Sequence, residues 1–306
     1  MAFVTTVLGR IPAAEFGTCY AHEHVLGHPP DPTEDPDFTL DSEEAAIREI
    51  GSFKMAGGRS IVELSPPDYG RNAEGLRRIS LATGVHIVCT TGFHKEKFCG
   101  SFVRGKSVAE LAASFIRELT EGIDGTDIRA GVVKAGSSLN RITPEEEKVF
   151  LAAAEAHVAT GAPVVTHTEA ATMALEHVEL LSARGVPPGR IILSHMDRRL
   201  DWDYQLRVAE TGAYLSYDCM GKEKHYPDSL RIAFIRRLVE AGHGRQILLS
   251  GDMARRSAWP SYDGKGGPGL TFILWRILPW LRQEGLDEAA IEDLMVHNPA
   301  RALGVG

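Results

Sequence analysis

The sequence has no cysteine pair that could staple a small fold. Its 4 cysteines (Cys19, Cys89, Cys99, Cys219) lie far apart, and none belongs to a C-x-x-C pair. Three of them fall in apolar, strand-like runs, which is how reduced structural cysteines behave. The opening MAFVTTVLGRIP lacks a charged segment followed by a long apolar stretch, so no signal peptide is expected. Runs of about 18 apolar residues, the length of a membrane span, are missing as well. The longest candidate, Leu270 to Leu281, is broken by Arg276 and Pro279. These absences predict a soluble, cytoplasmic protein with no membrane partner. Cationic excess is also lacking, since 33 Lys and Arg against 41 Asp and Glu leave a net charge of −8. Such a chain is poorly equipped to grip nucleic acid by its phosphates.

What is present is a chain of 306 residues, 43% hydrophobic and 24% charged, which places it among globular proteins. That length suits two ordinary domains, or one (β/α) barrel near its typical size of about 250 residues. Strand-like runs occur at Thr18–Val25, Ser60–Ser65, His86–Phe93, Arg129–Gly136, Pro163–Thr168, Arg190–Ser194, Ala213–Tyr217 and Gln246–Gly251. Several are apolar at nearly every position, as strands buried on both faces of a parallel sheet must be. Amphipathic helical segments separate them. Asp41-Ser42-Glu43-Glu44 opens the first, and Thr143-Pro144-Glu145-Glu146 opens another with an N-cap, a proline at N1 and a carboxylate at N3. Many of these segments stop at glycine (Gly57-Gly58, Gly84, Gly161, Gly185, Gly212, Gly242). Eight strand–helix units without a long linker predict a (β/α)8 TIM barrel, one domain over residues 1–306. A doubly wound open sheet is the alternative, but no G-x-G-x-x-G follows the first strand.

In a parallel barrel the strand C-termini converge on one mouth, where active sites are built. The residues there are His22 and His24, then Lys134, His167, His195 and Asp252. Period two points both imidazoles of His22-Glu23-His24 the same way, into the barrel. Taken singly, His167 or His195 is more often a hydrogen-bonded core or surface residue than a ligand. Lys134 is harder to dismiss, because a lysine closing GVVK buries a cation at substantial cost. Asp252 in LLSGD poses the same problem with opposite sign. A lysine carbamate bridging two divalent metals, with Asp252 in the same cluster, resolves both. Nitrogen and oxygen ligands of this kind suit zinc best, with manganese or cobalt as alternatives.

With these residues the chain resembles the phosphotriesterase-like family of the amidohydrolase superfamily, over nearly its whole length. The matching stretches are TVLGRIP, G-x-x-x-AHEHV, VVKAG, VVTHTE, ILSHMD, YDCMGKEKHYPD, LLSGDMARRS and HNPARALG. The resemblance implies His22, His24 and Asp252 on the more buried metal and His167 and His195 on the more exposed one. N-carboxylated Lys134 would bridge the two. Deaminase-type members of the superfamily lack this lysine, so Lys134 favours the binuclear branch. A homodimer is a further implication of the family.

Two ions a few ångströms apart would hold a bridging water as hydroxide and polarise the bond under attack. Asp252 is the candidate to shuttle the proton to the leaving group. This chemistry fixes hydrolysis and leaves the bond open. Cations cluster in the mouth loops: His94, Lys95 and Lys97, then Arg104 and Lys106, then Lys222, Lys224 and His225 with Tyr226, then Arg255 and Arg256. The substrate-binding candidates are His94, Lys95, Lys222, Lys224, Tyr226, Arg255 and Arg256, with the last two arginines foremost because they follow Asp252 closely. The plain reading is that these are solvated loop charges, some paired with Glu96, Glu223 and Asp228. Read as a set, they predict a small anionic substrate, a phosphorylated or carboxylated sugar lactone. Family lactonases usually place a tyrosine after strand three, where this chain reads Thr91-Gly92-Phe93-His94; that departure speaks against a long-chain acyl-homoserine lactone. Alternatives are a phosphotriesterase, carboxylesterase or N-acyl amide hydrolase with the same site, and, from another class, a binding protein keeping a decayed site.

Overall fold

All the strand-like runs become staves of one parallel barrel in the computed structural model, which describes residues 2–29, 35–263 and 266–306. Ahead of them lies an antiparallel hairpin not expected from the sequence, β1 (Phe3–Thr6) and β2 (Gly9–Pro12). The staves are β3 (Cys19–Glu23), β4 (Ser60–Glu63), β5 (His86–Val88) continued by β6 (Thr90–Gly92), β7 (Val132–Gly136), β8 (Val164–His167), β9 (Ile191–Ser194), β10 (Tyr214–Tyr217) and β11 (Ile247–Leu249). Ladders join β3 to β5 and, separately, β6 to β11.

Two departures from the expected strands matter for the site. The run His86–Phe93 divides at Cys89, so β5 pairs with β4 and β6 pairs with β7. One stave thereby passes its hydrogen bonds from one neighbour to the next. On the far side, among the described residues, no ladder joins β11 to β3. The Asp252 N–H donates to the carbonyl of His22 instead, at 3.1 Å, and Ser250 Oγ lies 2.6 Å from the same oxygen.

The interior holds Cys19, Ala21, Val62, Val88, Val132, Val165, Ile192 and Leu248, floored by Val4, Phe16, Ala302 and Leu303. The hairpin is pinned to this floor by the Phe3–Val305 bridge and by the Val7 N–H on the Ile87 carbonyl. A second, larger apolar cluster lies between the staves and the surrounding helices.

The helices are α1 (Glu43–Met55), α2 (Ala73–Thr83), α3 (Glu96–Val103), α4 (Val108–Thr120), α5 (Pro144–Thr160), α6 (Ala174–Ser182), α7 (Trp202–Glu210) and α8 (Asp228–Glu240), followed by helical segments from Ile273 to Leu303. Their caps are the expected ones. Ser42 accepts from the Ala45 N–H, and Thr143 and Glu146 form a reciprocal capping box. All four cysteines are free and buried. No helix among the described residues is long and apolar enough to cross a membrane.

Gly92 is where the third stave presses closest on the site. Its φ is +88°, and a Cβ there would lie 2.0 Å from the Lys134 carbonyl oxygen. Gly92→Ala combines a left-handed backbone with an overpacked strand, and is expected to cost about 3 kcal/mol. The denaturant midpoint should fall accordingly, and an unchanged midpoint would mean that the two strands part freely.

Candidate metal centre

The histidine-bearing strand does not keep a simple alternation. Cys19 and Ala21 face the interior while Tyr20 packs outward on Phe53. A register shift between Tyr20 and Glu23 then changes the phase. His22 and His24 consequently share the mouth, and the Nε2 atoms of both turn to Asp252 Oδ1, at 3.7 and 3.2 Å. On the opposite side His195 Nε2 meets His167 Nδ1 at 2.9 Å. The rings of His22 and His195, one from each pair, have centroids 5.0 Å apart.

Each ring is aimed from behind. His24 Nδ1 bonds Ser65 Oγ at 2.8 Å, and His167 Nε2 meets Glu169 at 3.1 Å. Asp218, with no solvent exposure, takes Nδ1 of His22 and Nδ1 of His195, each at 2.8 Å. It also accepts the His195 backbone N–H at 2.9 Å. Burial alone would raise the Asp218 carboxyl, but the two imidazoles hold it well below the usual range. Burial lowers His22 and His167 from the ordinary imidazole value and brings His24 down to about 4, whereas at His195 the Asp218 carboxylate outweighs burial and raises it. Neutral imidazole is the form that binds metal.

Lys134 is 1% exposed, and its Nζ donates to the Leu64 carbonyl at 2.6 Å. Burial lowers it to about 8, against the pull of Asp252, Asp68, Glu63 and Asp218. His22, His24 and Asp252 form a cluster able to hold a divalent ion. The donor chemistry fits such an ion: His22 Nε2 is buried, lacks a hydrogen-bond partner, and faces the carboxylate. The His167–His195 pair offers a second pair of nitrogens beside it.

A cavity of about 580 Å³ opens over these residues. Of the expected substrate contacts, His94, Lys95, Lys222, Lys224 and Arg255 line it. His94 is buried, and its ring centroid lies 4.4 Å from that of His167. Arg256 and Tyr226 do not line it. Arg256 is drawn away by the Thr39 carbonyl and Asp41. The loop at Tyr226 is turned back by Arg231, which donates to its carbonyl at 2.7 Å.

The mouth is also less basic than its cation count implies. Lys95 pairs with Glu169, Lys222 with Asp252, and Arg255 with Asp35 and Asp37. None of these acids is among the partners considered from the sequence. Asp228 serves buried Arg231 instead.

Sequence reasoning missed Asp218, Glu169 and Arg198. Asp218 carried the same signal as Asp252, an acid closing an apolar strand (YLSYD). Arg198 stands three residues after His195 and lines the cavity, 3.5 Å from Glu169. Asp218→Asn leaves one of the two Nδ1 atoms facing an amide N–H. It is expected to weaken divalent-metal binding about 10–100-fold, measured by competition with a chelator. Unchanged affinity would mean that Asp218 does not set both rings.

The family model described as "Phosphotriesterase family" matches residues 2–303. A phospho-furanose lactonase from Mycoplasmopsis synoviae is 34% identical, covering 98% of this chain and 91% of the relative. A lactonase from Listeria monocytogenes superposes with TM-score 0.93 at 36% identity, covering 98% of each chain. The Escherichia coli phosphotriesterase homology protein, solved with phosphate in its active site, gives TM-score 0.90 at 36% identity over 94% of this chain and 98% of that one.

Proposed function

The chain belongs to the phosphotriesterase family and is a metal-dependent hydrolase of ester or lactone bonds; from that membership we propose that it opens a small anionic sugar lactone, phosphorylated or carboxylated. The observation that carries the choice of substrate is Lys224. It lines the cavity, and among the described residues no carboxylate pairs with it. Partial burial and the charges of Arg255, Lys222 and Arg198 together lower its pKa. A phosphate or carboxylate would relieve that crowding. A sugar-sized molecule also suits a cavity of about 580 Å³.

We assign His22, His24 and Asp252 to one ion, His167 and His195 to the other, and N-carboxylated Lys134 to both. Zinc is the metal this donor set suits best, with manganese and cobalt as alternatives. When bound, two such ions supply a water of lowered pKa and a Lewis acid for the carbonyl. The lysine modification needs a neutral amine: Nζ adds to carbon dioxide, an N–C bond forms, and one proton leaves. A pKa near 8 makes that amine accessible at neutral pH.

Asp252 moves the catalytic proton. Lys222 holds its Oδ2, so Oδ1 is the atom presented to the two histidines. It takes the proton of the attacking water and returns it to the ring oxygen as the lactone opens. Lys95 and Arg198, anchored on Glu169, bound the cavity beside His167. Phe38 and Tyr69 complete its apolar wall.

A panel of sugar lactone phosphates, neutral lactones, N-acyl amides and phosphotriesters tests the reading. Turnover of a neutral acyl lactone with none of any anionic lactone would sink it. Lys224→Ala should raise KM for the anionic lactone about tenfold, as loss of one charged hydrogen bond does. The kcat on a neutral lactone should stay within about twofold. Lys134→Ala should lose most activity and retain less metal; a variant holding both ions at full turnover would refute the bridge.

A further inference from the structure

We propose that Glu23, between the two histidines of His22-Glu23-His24, is the positioning residue for Asp252. The inference rests on the metal-hydrolase reading, because it concerns how that site's proton carrier is held. Glu23 does not line the cavity and is fully buried. Its Oε1 accepts from the Gly251 N–H at 2.7 Å, and Ser250 Oγ lies 2.7 Å away with its single proton shared between this oxygen and the His22 carbonyl. Its Oε2 accepts from the Met253 N–H at 2.8 Å. The backbone donors on both sides of Asp252 therefore end on one carboxylate, while the Asp252 N–H ends on the neighbouring His22 carbonyl at 3.1 Å.

Asp252 needs such a grip. Its φ is +44°, a left-handed backbone unusual for a residue with a Cβ. This turn lies where the barrel closes without a ladder between β3 and β11, so no sheet pairing fixes it. Gly251 leaves the room required, since a Cβ there would sit 3.2 Å from Glu23 Oε1 and 2.7 Å from the Met253 side chain. Trp259 Nε1 holds the next carbonyl, that of Met253, at 2.8 Å. The same dipeptide thus supplies a ligand, His22, and the clamp that aims Asp252.

Glu23→Gln keeps the shape but turns an amide N–H toward one of the backbone donors. In the cobalt-loaded full chain, the visible absorption of the ion held by Asp252 should shift. The kcat should fall at least about tenfold with KM within about threefold. Placed on Asp252→Asn, the same substitution should cost almost nothing more, because its effect passes through that side chain. An unchanged spectrum and kcat, or losses that simply add, would overturn the positioning role. A wild-type chain that binds no cobalt would instead overturn the metal reading beneath it. Circular dichroism checks the fold; if Glu23→Gln does not fold, Glu23→Asp keeps the charge and withdraws the carboxylate from the same N–H groups. It is expected to move the same three readouts in the same direction by a smaller factor, and no movement would overturn the proposal.

Discussion

The two halves of the metal centre depend on one buried carboxylate. Asp218 takes Nδ1 from His22 on the first stave and from His195 after the sixth, so each ring turns its Nε2 inward. An anion without solvent contact is tolerated only when it is paired and hydrogen-bonded, and Asp218 meets two rings and a backbone N–H. Because that N–H belongs to His195, ring and backbone of one ligand answer to the same side chain. The spacing between the two pairs of nitrogens is therefore set by Asp218, and the loops above are free to vary around a fixed base.

Electrostatics at the mouth follow a different plan. A cluster of cations over a metal centre would repel the ions it is meant to admit. The structure answers this with paired charges: Glu169 for Lys95 and Arg198, Asp252 for Lys222, Asp35 and Asp37 for Arg255. The Asp252–Lys222 pair is poised rather than spent: Asp252 is also a metal-ligand candidate, and a carboxylate drawn onto a metal gives up part of its hold on its lysine. The net charge of −8 is thus compatible with an anionic substrate, because the local balance at Lys224 differs from the average.

Most of the barrel was legible in the sequence, because buried parallel strands must be apolar throughout and glycine must end the helices that precede them. Of the six candidate ligands, Lys134 and Asp252 were legible for the related reason that a lysine or aspartate closing such a strand has no cheap explanation, and the four histidines only as members of the same set. What escaped was whatever depends on a partner distant in sequence. The basic loop residues read as a free anion pocket, yet Arg256 belongs to Asp41 and Arg255 to Asp35 and Asp37, about 215 to 220 positions earlier in the chain. The break at Cys89 escaped because apolar continuity says nothing about which neighbour a strand pairs with. Asp218 was visible by the same test that found Asp252, but no resemblance to a ligand drew attention to it.

Strain and support are matched at the two candidate ligands that stand on left-handed backbone. His195 has φ +62° and Asp252 φ +44°. Such a conformation costs an L-residue about 1–2 kcal/mol. Hydrogen bonds to a charged acceptor contribute about 1.5–3 kcal/mol each. At His195 the backbone N–H meets Asp218 directly, and at Asp252 the flanking N–H groups meet Glu23. At His195 the charged Asp218 outweighs the strain; at Asp252, where burial pushes Glu23 up to about 7, two N–H bonds of about 0.5–1.5 kcal/mol each offset it, so the turn is held in a conformation that its sequence alone would not choose. A glycine would relax the strain at either position but would bring no ligand. The site accepts strained backbone where the side chain must carry chemistry, and sets a buried carboxylate behind it to keep the geometry.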